Sequence, residues 1–218
     1  MNTLVFFHGM GGNSDRLKRI LPENWEVFEP KWPTPASGDT LASYVNKALK
    51  PLSHKPQAFL GYSFGALMAL EAHKSYPSTR LLLLSCAVQA HEQPWAYDLL
   101  RKTRLLHFLP DHLVWQTVKT FSFLAPSNER RRYKMFLDKT PSALYAWALR
   151  MQLETQLEVP HYIWRLHGLH DTVFPKRYIH NTQWTEGGHL LLETRTEAVA
   201  NWLNEGLKRP LPEALHLT

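Results

Sequence analysis

Cysteine is almost absent from this chain of 218 residues, in which Cys86 is the only one. A single cysteine cannot form an intrachain disulfide, and such a composition is typical of proteins in a reducing compartment. Residues 3–7 already have the apolar character of a strand, and neither a basic segment nor a small-residue cleavage site accompanies them. The sequence therefore predicts a cytoplasmic protein without a secretory signal.

Long hydrophobic runs and nucleic-acid-binding motifs are also missing. No stretch reaches the ~20 apolar residues of a membrane span, so we predict none. The net charge is +6, and residues 88–157 contain ten Lys and Arg against six Asp and Glu. This basic excess is not accompanied by an RNA- or DNA-binding motif, or by a basic stripe interleaved with aromatic side chains on strands. We therefore expect no nucleic-acid partner.

The apolar segments that are present indicate an α/β domain. Short apolar runs at residues 3–7, 57–63 and 80–85 alternate with segments of helical periodicity. This alternation is typical of a parallel sheet with right-handed crossovers. We predict about six mainly parallel strands flanked by helices.

The alternation stops in the middle of the chain. Residues 88–157 show only helical periodicity, and the positions of proline divide them into four helices. The first lies between Pro94 and Pro110, and the second ends near Leu124. We predict a core of residues 1–87 and 158–218, with residues 88–157 inserted as a helical lid.

Residues 57–68 join a strand to a helix through the pentapeptide Gly61-Tyr62-Ser63-Phe64-Gly65. In this G-x-S-x-G pattern the serine occupies a strained turn, so that its hydroxyl projects above the sheet. Side chains in place of the two glycines would collide with the neighbouring strand and helix. An ordinary tight turn is the alternative, but the pattern favours a nucleophilic Ser63.

A serine hydroxyl is a weak nucleophile unless a base accepts its proton and a third group orients that base. Asp171 follows one predicted strand, and His189 follows the last predicted strand after two glycines. Both positions are at the carboxyl edge, where open α/β sheets place their sites. Asp98 and Asp111 are less suitable acids, because they belong to the inserted helices.

These motifs together resemble the α/β-hydrolase superfamily over nearly the whole chain. The residues that carry the resemblance are His8-Gly9-Met10-Gly11-Gly12, the pentapeptide around Ser63, His167-Gly168 with Asp171, and Gly188-His189. The resemblance implies a small esterase-like α/β-hydrolase fold with an inserted four-helix lid. It implies that Ser63 attacks an acyl carbonyl, that His189 transfers the proton and that Asp171 orients His189. It also implies an oxyanion hole formed by the backbone N–H groups of Met10 and Phe64.

The sequence departs from the family pattern at two points. The chain opens on what would be the third family strand, so the first two family strands are missing from it. Only eighteen residues separate Asp171 from His189, which leaves room for one or two turns at residues 175–179. Neither departure removes a residue that the chemistry needs.

Three further histidines lie close in sequence to these motifs. His8 is expected to organise the glycine-rich loop, with catalysis as the alternative. His167 and His170 lie beside Asp171, but a third ligand at the usual spacing is missing. We therefore predict neither a metal site nor a cofactor.

The predicted lid supplies candidates for substrate binding. Its aromatic residues are expected mainly to pack helices together, while some line an apolar acyl pocket. The run Arg130-Arg131-Arg132 is either a solvated face or a site for an anionic group. The candidates for contact with substrate are Trp95, Trp115, Trp147, Arg130 and Arg131.

The sequence thus predicts a cofactor-free serine hydrolase for a small or medium acyl ester or thioester. Its partner would be a small-molecule acyl substrate, with an anionic or carrier-linked form as a further possibility. One alternative is a lyase or synthase that uses Ser63 and His189 for proton abstraction and arginines for substrate carboxylates. Another alternative is a binding protein on the same scaffold.

Overall fold

The computed structural model describes residues 1–121 and 127–210 and contains a six-stranded sheet. Every pair of neighbouring strands is parallel, and the spatial order is β2-β1-β3-β4-β5-β6. The predicted α/β class is therefore confirmed. The strands are β1 (Asn2–Phe7), β2 (Trp25–Phe28), β3 (Ala58–Tyr62), β4 (Arg80–Leu84), β5 (Trp164–Gly168) and β6 (Gln183–Thr185).

The central strands are apolar throughout because helices cover both faces of the sheet. Along β1, Leu4 and Phe6 point to one hydrophobic core, whereas Val5 and Phe7 point to the other. All four side chains are completely buried. Successive side chains of a strand alternate between its faces, so each strand contributes to two cores.

One face of the sheet is covered by α2 (Leu41–Leu49) and α3 (Gly65–Ser75). The other face is covered by α1 (Asp15–Lys18), α9 (Leu191–Thr194) and α10 (Thr196–Lys208). Thr40 caps α2: its hydroxyl accepts from the N–H of Ser43, whose hydroxyl accepts in return from the N–H of Thr40. Such a reciprocal cap satisfies two N–H groups that have no partner within the helix.

The described residues between β4 and β5 form five α-helices. They are α4 (Trp95–Thr103), α5 (Leu105–Phe108), α6 (Asp111–Phe121), α7 (Ser127–Lys139) and α8 (Ser142–Glu154). The helix predicted between Pro94 and Pro110 is divided in two at Arg104, whose φ of 52° lies in the left-handed region. The predicted end of the second helix near Leu124 lies outside the described residues, as does most of the C-terminal segment.

This helical insertion (residues 88–157) packs both on itself and on the sheet. Leu106, Val114 and Leu153 form a small core within it. Leu144 and Trp147 of α8 instead belong to the larger core over α2 and α3. The insertion therefore shares hydrophobic core with the rest of the chain.

A buried ion pair fixes the start of the insertion to β5. The guanidinium of Arg165 donates to Glu92 Oε1 over 2.6 Å and to the carbonyl of Cys86 over 3.0 Å. Glu92 Oε2 accepts from the backbone N–H of Val88 over 2.8 Å. The Arg165 and Glu92 side chains are 4% and 2% exposed. This network ties the chain leaving β4 to the neighbouring strand.

The final connections are short, as the spacing predicted. Lys176–Tyr178 form a single 3₁₀ turn between β5 and β6. No helix within the described ranges 1–121 and 127–210 combines the length and apolar character that crossing a bilayer requires.

Candidate active site

Ser63 lies directly after β3 and just before α3, with a φ of 55°. Non-glycine residues seldom adopt this region, at a cost of about 1–3 kcal/mol, and they concentrate at functional sites. The flanking glycines are required by close approach. A Cβ on Gly61 would lie 2.4 Å from the Cα of Ala66, and one on Gly65 would lie 2.0 Å from the carbonyl oxygen of Phe7.

Ser63 is the first member of a chain of three hydrogen-bonded side chains. The distance from its Oγ to His189 Nε2 is 2.8 Å, and the distance from His189 Nδ1 to Asp171 Oδ2 is also 2.8 Å. Because Asp171 accepts from Nδ1, Nε2 of neutral His189 is left as an acceptor for the serine hydroxyl. The structure therefore brings together the three residues that the sequence pattern selected.

The carboxylate of Asp171 is buried and accepts several hydrogen bonds. Oδ1 accepts from the backbone N–H groups of Val173 and Phe174 over 2.8 and 2.9 Å. Burial alone would raise the pKa of Asp171, but the charge of His189 and the hydrogen bonds from His167 and His189 hold it well below its usual range. Asp171 is therefore ionised at neutral pH.

His167 is a partner of Asp171 that the sequence analysis did not assign. Its Nε2 lies 3.0 Å from Asp171 Oδ2 and 2.9 Å from the carbonyl oxygen of Phe174. Both partners are acceptors, so Nε2 of His167 carries a proton and donates. The i,i+4 spacing of the two residues across Gly168 is the signal that would have suggested contact. His170, by contrast, is exposed and interacts with Glu186.

The backbone of His189 is held from the helical insertion. Glu129 in α7 is completely buried, and its carboxylate accepts from the N–H groups of His189 and Leu190 over 3.2 and 3.1 Å. A Cβ on Gly188 would lie 2.7 Å from both carboxylate oxygens of Glu129, so a side chain there would displace this carboxylate. Tyr62 adds a hydrogen bond from its hydroxyl to the carbonyl of His189 over 3.2 Å.

The glycine-rich loop after β1 lies beside Ser63. The N–H of Gly12 donates to the carbonyl of Gly9 over 3.0 Å, which closes a turn with Met10 and Gly11 at its centre. His8 Nδ1 lies 2.6 Å from the same carbonyl, and burial lowers the pKa of His8. His8 thus contacts the loop, as expected of a residue that organises it.

Two backbone N–H groups are free to bind a ligand at this point. Within the described part of the chain, the N–H groups of Met10 and Phe64 have no protein acceptor. Met10 is at the second position of its turn, and Phe64 is the N-cap of α3. Unpaired N–H groups at such positions are suited to a developing negative charge.

A cavity of about 580 Å³ opens beside Ser63 and His189. Its wall combines the loop after β1 with side chains from the helical insertion and from the loops after β5 and β6. Among the wall residues that the structure describes, none is Lys or Arg. The larger wall side chains are Tyr62, Tyr97, Leu137, Tyr133, Phe136, Tyr145 and Leu190.

None of the five residues predicted to bind substrate is among the described residues of the cavity wall. Trp95 is 69% exposed on α4. The indole N–H of Trp115 donates to the carbonyl of Leu137. Trp147 is buried against Tyr44 and donates to the carbonyl of Asp39. The remaining two, Arg130 and Arg131, are exposed on α7.

The other acids of the insertion are engaged elsewhere. Asp98 pairs with Lys102, and Asp111 pairs with Arg150. In residues 1–121 and 127–210, no group of three or more His, Cys, Asp and Glu side chains could hold a metal ion.

Comparison with solved structures finds hydrolases and esterases that share the fold of this chain. A hydrolase from Pseudomonas aeruginosa PA01 matches with a TM-score of 0.68 at 16% identity, over 95% of this chain and 90% of the other. An esterase from Exiguobacterium antarcticum matches with a TM-score of 0.66 at 16% identity, over 96% and 92% of the two chains. This chain has the α/β-hydrolase fold.

A thioesterase from the prodiginine biosynthetic pathway in Streptomyces coelicolor shares the α/β-hydrolase fold as well. Its TM-score is 0.58 at 15% identity, over 94% of this chain and 85% of the other. Searches by sequence alone find no matching protein-family model and no matching curated protein. The likeness therefore lies in the fold.

The α/β-hydrolase fold explains how residues so distant in sequence meet. Strands β3, β5 and β6 are parallel, so their carboxyl ends share one edge of the sheet. Ser63, Asp171 and His189 each follow one of these strands. Loops at this edge are the usual location of sites in open α/β sheets.

Proposed function

We propose that the protein is a serine hydrolase that cleaves a small or medium acyl ester or thioester through an acyl-enzyme. The observation that carries this proposal is the chain of hydrogen bonds from Ser63 through His189 to Asp171, with Ser63 and His189 on the wall of a cavity. An activated hydroxyl beside a space of this size is the arrangement that acyl transfer requires.

In the proposed reaction, Ser63 Oγ attacks the acyl carbonyl while its proton passes to Nε2 of His189. The tetrahedral intermediate then expels the alcohol or thiol, which takes the proton back from Nε2. A water molecule attacks the acyl-enzyme in the same way, with His189 as its base, and releases the acid and free Ser63. The negative charge of Asp171 stabilises the imidazolium in both steps.

The N–H groups of Met10 and Phe64 are proposed to hold the oxyanion of the tetrahedral intermediates. They come from the loop after β1 and from the first turn of α3, on either side of Ser63. Their lack of a protein acceptor supports this role. Loss of one oxyanion donor typically lowers the rate by ~10²–10³-fold.

The proposed substrate is uncharged and largely apolar. Tyrosine, phenylalanine and leucine side chains dominate the described cavity wall, and Arg130 and Arg131 lie away from it. The carboxylates of buried Glu129 and partly buried Glu193 lie near His189 and disfavour an anionic acyl group. Two of the structural neighbours, an esterase and a thioesterase, are consistent with this substrate class.

We assign the role of a lid to the helical insertion. Tyr97, Tyr133 and Tyr145 belong to α4, α7 and α8, and all three line the cavity. On this assignment, residues 1–87 and 158–218 form the hydrolase core, and residues 88–157 determine the size of the acyl pocket.

An active-site probe tests the proposal directly. A fluorophosphonate should label the wild-type protein on Ser63, as located by peptide mass spectrometry, because His189 activates that hydroxyl. Ser63→Ala should remain unlabelled, whereas Ser53→Ala, at an exposed serine, should label like the wild type. A wild-type protein that resists the probe would contradict the proposal and favour a non-catalytic binding protein.

The lyase alternative requires arginine side chains that hold substrate carboxylates, and the described cavity wall contains none. Hydrolysis of p-nitrophenyl butyrate separates the two activities. A serine esterase turns this ester over at a useful rate, whereas a lyase that shares the same triad does so poorly. A labelled Ser63 together with negligible ester hydrolysis would favour the lyase.

The pH dependence follows from the environment of His189. Burial lowers its pKa, but the charge and hydrogen bond of Asp171, together with Glu129, raise it above 6.5 overall. Only neutral His189 can accept the proton of Ser63, so kcat/KM should fall with decreasing pH through this raised pKa. We expect the acid limb of the kcat/KM profile above pH 6.5.

Glu129→Gln provides the comparison for this profile. The substitution removes one negative charge near His189, so the acid limb should move to lower pH. A wild-type limb at or below pH 6.5 would show that burial, and not Asp171, dominates the pKa of His189.

A further inference from the structure

Tyr133 presents a buried hydroxyl that has no hydrogen-bond partner among residues 1–121 and 127–210. Its ring lies against His189, with centroids 6.0 Å apart and planes inclined by 25°, and its side chain lines the cavity. Buried polar atoms nearly always have partners, so an exception beside an active site needs an explanation. Tyr133 is not required for the proton transfer from Ser63 to His189.

Two more tyrosines line the same cavity wall and are partly exposed. Tyr97 and Tyr145 have no acceptor for their hydroxyls among the residues that the structure describes. Electrostatic interaction links Tyr133 to both of them, which places the three phenols near one another. They come from three different helices, α4, α7 and α8, and converge on a single cavity.

Two other tyrosines of the described chain have internal acceptors. The hydroxyl of Tyr44 donates to the carbonyl of Pro33 over 2.7 Å, and that of Tyr62 donates to Glu193 over 2.9 Å. Among the described tyrosines, Tyr133 alone has a fully buried hydroxyl without a partner. It lies at the cavity beside Ser63.

The three cavity phenols are donors at neutral pH. Burial raises the pKa of Tyr97 to about 12, and it also raises the pKa values of Tyr133 and Tyr145 well above their usual range. A protonated phenol donates to a carbonyl or ether oxygen. The carboxylates of Asp171 and Glu129 lie close enough to Tyr133 to influence its pKa, and their negative charge opposes an anionic acceptor in the same place.

We propose that Tyr97, Tyr133 and Tyr145 form a hydrogen-bond-donor subsite for a second, neutral oxygen atom in the acyl group of the substrate. The proposal rests on the hydrolase function above and narrows its substrate class to oxygenated acyl esters, such as alkoxy- or oxoacyl esters. A plain alkanoyl chain leaves the phenols unpaired. A site built to hydrogen-bond one oxygen discriminates strongly against an analogue that lacks it.

Matched pairs of p-nitrophenyl esters test the subsite. Methoxyacetate, 3-methoxypropanoate and 4-methoxybutanoate are compared with butanoate, pentanoate and hexanoate, so that an oxygen replaces one methylene at a different distance each time. The ratio of kcat/KM within each pair is divided by the ratio of the alkaline hydrolysis rates. We expect at least one corrected ratio to favour the ether by about 10-fold or more.

Tyr133→Phe should bring that ratio close to 1, and Tyr76→Phe serves as the matched control that keeps it. Tyr76 packs against Phe59 and is not a described residue of the cavity wall. Tyr133→Phe should unfold at the same temperature as the wild type or higher, because it removes an unsatisfied buried hydroxyl. Loss of the preference then cannot result from loss of the fold.

Two results would overturn the subsite: corrected ratios within 3-fold of 1 for all three pairs, or a preference that survives in Tyr97→Phe, Tyr133→Phe and Tyr145→Phe alike. Calorimetric binding of the matching methyl esters to Ser63→Ala separates this failure from failure of the hydrolase function. An affinity ratio that favours the ether, without turnover by the wild type, would support the subsite and reject the hydrolase. Equal affinities for the ether and the alkyl ester, together with normal turnover by the wild type, would reject the subsite and support the hydrolase function.

Discussion

Replacement of His189 by alanine is expected to lower kcat/KM for ester hydrolysis by ~10⁴- to 10⁶-fold. The hydroxyl of Ser63 has Nε2 of His189 as its acceptor at 2.8 Å, so the variant leaves the hydroxyl without a base. Hydrolysis of p-nitrophenyl butyrate, followed by absorbance, measures the loss. The residual rate would come from substrate binding and the oxyanion donors alone.

Two further variants make this result specific. His170→Ala removes a histidine next to Asp171 in sequence, but that side chain is exposed and interacts with Glu186. It should retain wild-type activity. The double variant Ser63→Ala/His189→Ala should be no slower than either single variant, because residues that act as one unit are not additive. Additive losses would show that Ser63 and His189 act independently.

Arg165→Met is expected to lower the free energy of unfolding by about 3–5 kcal/mol. The substitution leaves the carboxylate of Glu92 buried without its ionic partner and removes the donor to the carbonyl of Cys86. Urea denaturation followed by circular dichroism measures the change. Because the pair lies outside the cavity wall, the folded fraction should still react with a fluorophosphonate at Ser63.

Two comparison variants test whether the loss of stability comes from the burial of an unpaired charge and not from the loss of an ion pair as such. Lys74→Ala breaks the surface pair with Glu71 and should leave the denaturation midpoint unchanged, since solvent screens such pairs. Arg165→Met/Glu92→Leu should recover part of the loss, because no charge remains buried. Full recovery is not expected, since Val88 N–H then loses its acceptor on Glu92. An Arg165→Met protein as stable as the wild type would refute the role assigned to the pair.

The positions of Ser63, Asp171 and His189 were predictable because each is tied to the end of a strand. Strand ends are marked in the sequence by apolar runs and glycines, and a parallel sheet brings those ends to one edge. The required glycines left a local signal as well, since Gly61 and Gly65 admit no side chain. The number of strands and their parallel arrangement followed from the same alternation.

The details of the helical insertion were not predictable in the same way. Arg104 divides the first predicted helix because its backbone adopts a left-handed conformation. No glycine or proline stands beside it in the sequence to indicate a break. Trp147, a predicted substrate contact, is not among the described residues of the cavity wall, because its indole packs against Tyr44. Residue type indicates that a side chain can line a pocket, whereas helix orientation decides whether it does.

Contacts that depend on packing between distant segments could not be predicted from the sequence either. His167 donates to Asp171, and Glu129 accepts from the loop that carries His189, yet neither pair has a motif of its own. Tyr133 lies only four residues from Glu129 and faces the cavity from the same helix. Three arginines separate the two residues in sequence. This basic run predicts a solvated or anion-binding face and gives no sign of the buried contacts of its neighbours.

The hydrogen bonds from the N–H groups of His189 and Leu190 to Glu129 couple the position of α7 to that of the His189 imidazole. A displacement of α7 that withdraws this carboxylate strands two buried N–H groups, at a cost of about 1–3 kcal/mol each. We therefore expect substrate to enter past the other helices of the insertion while α7 stays in place. On the proposed function, movement of α7 would slow turnover, because it would also displace the imidazole of His189.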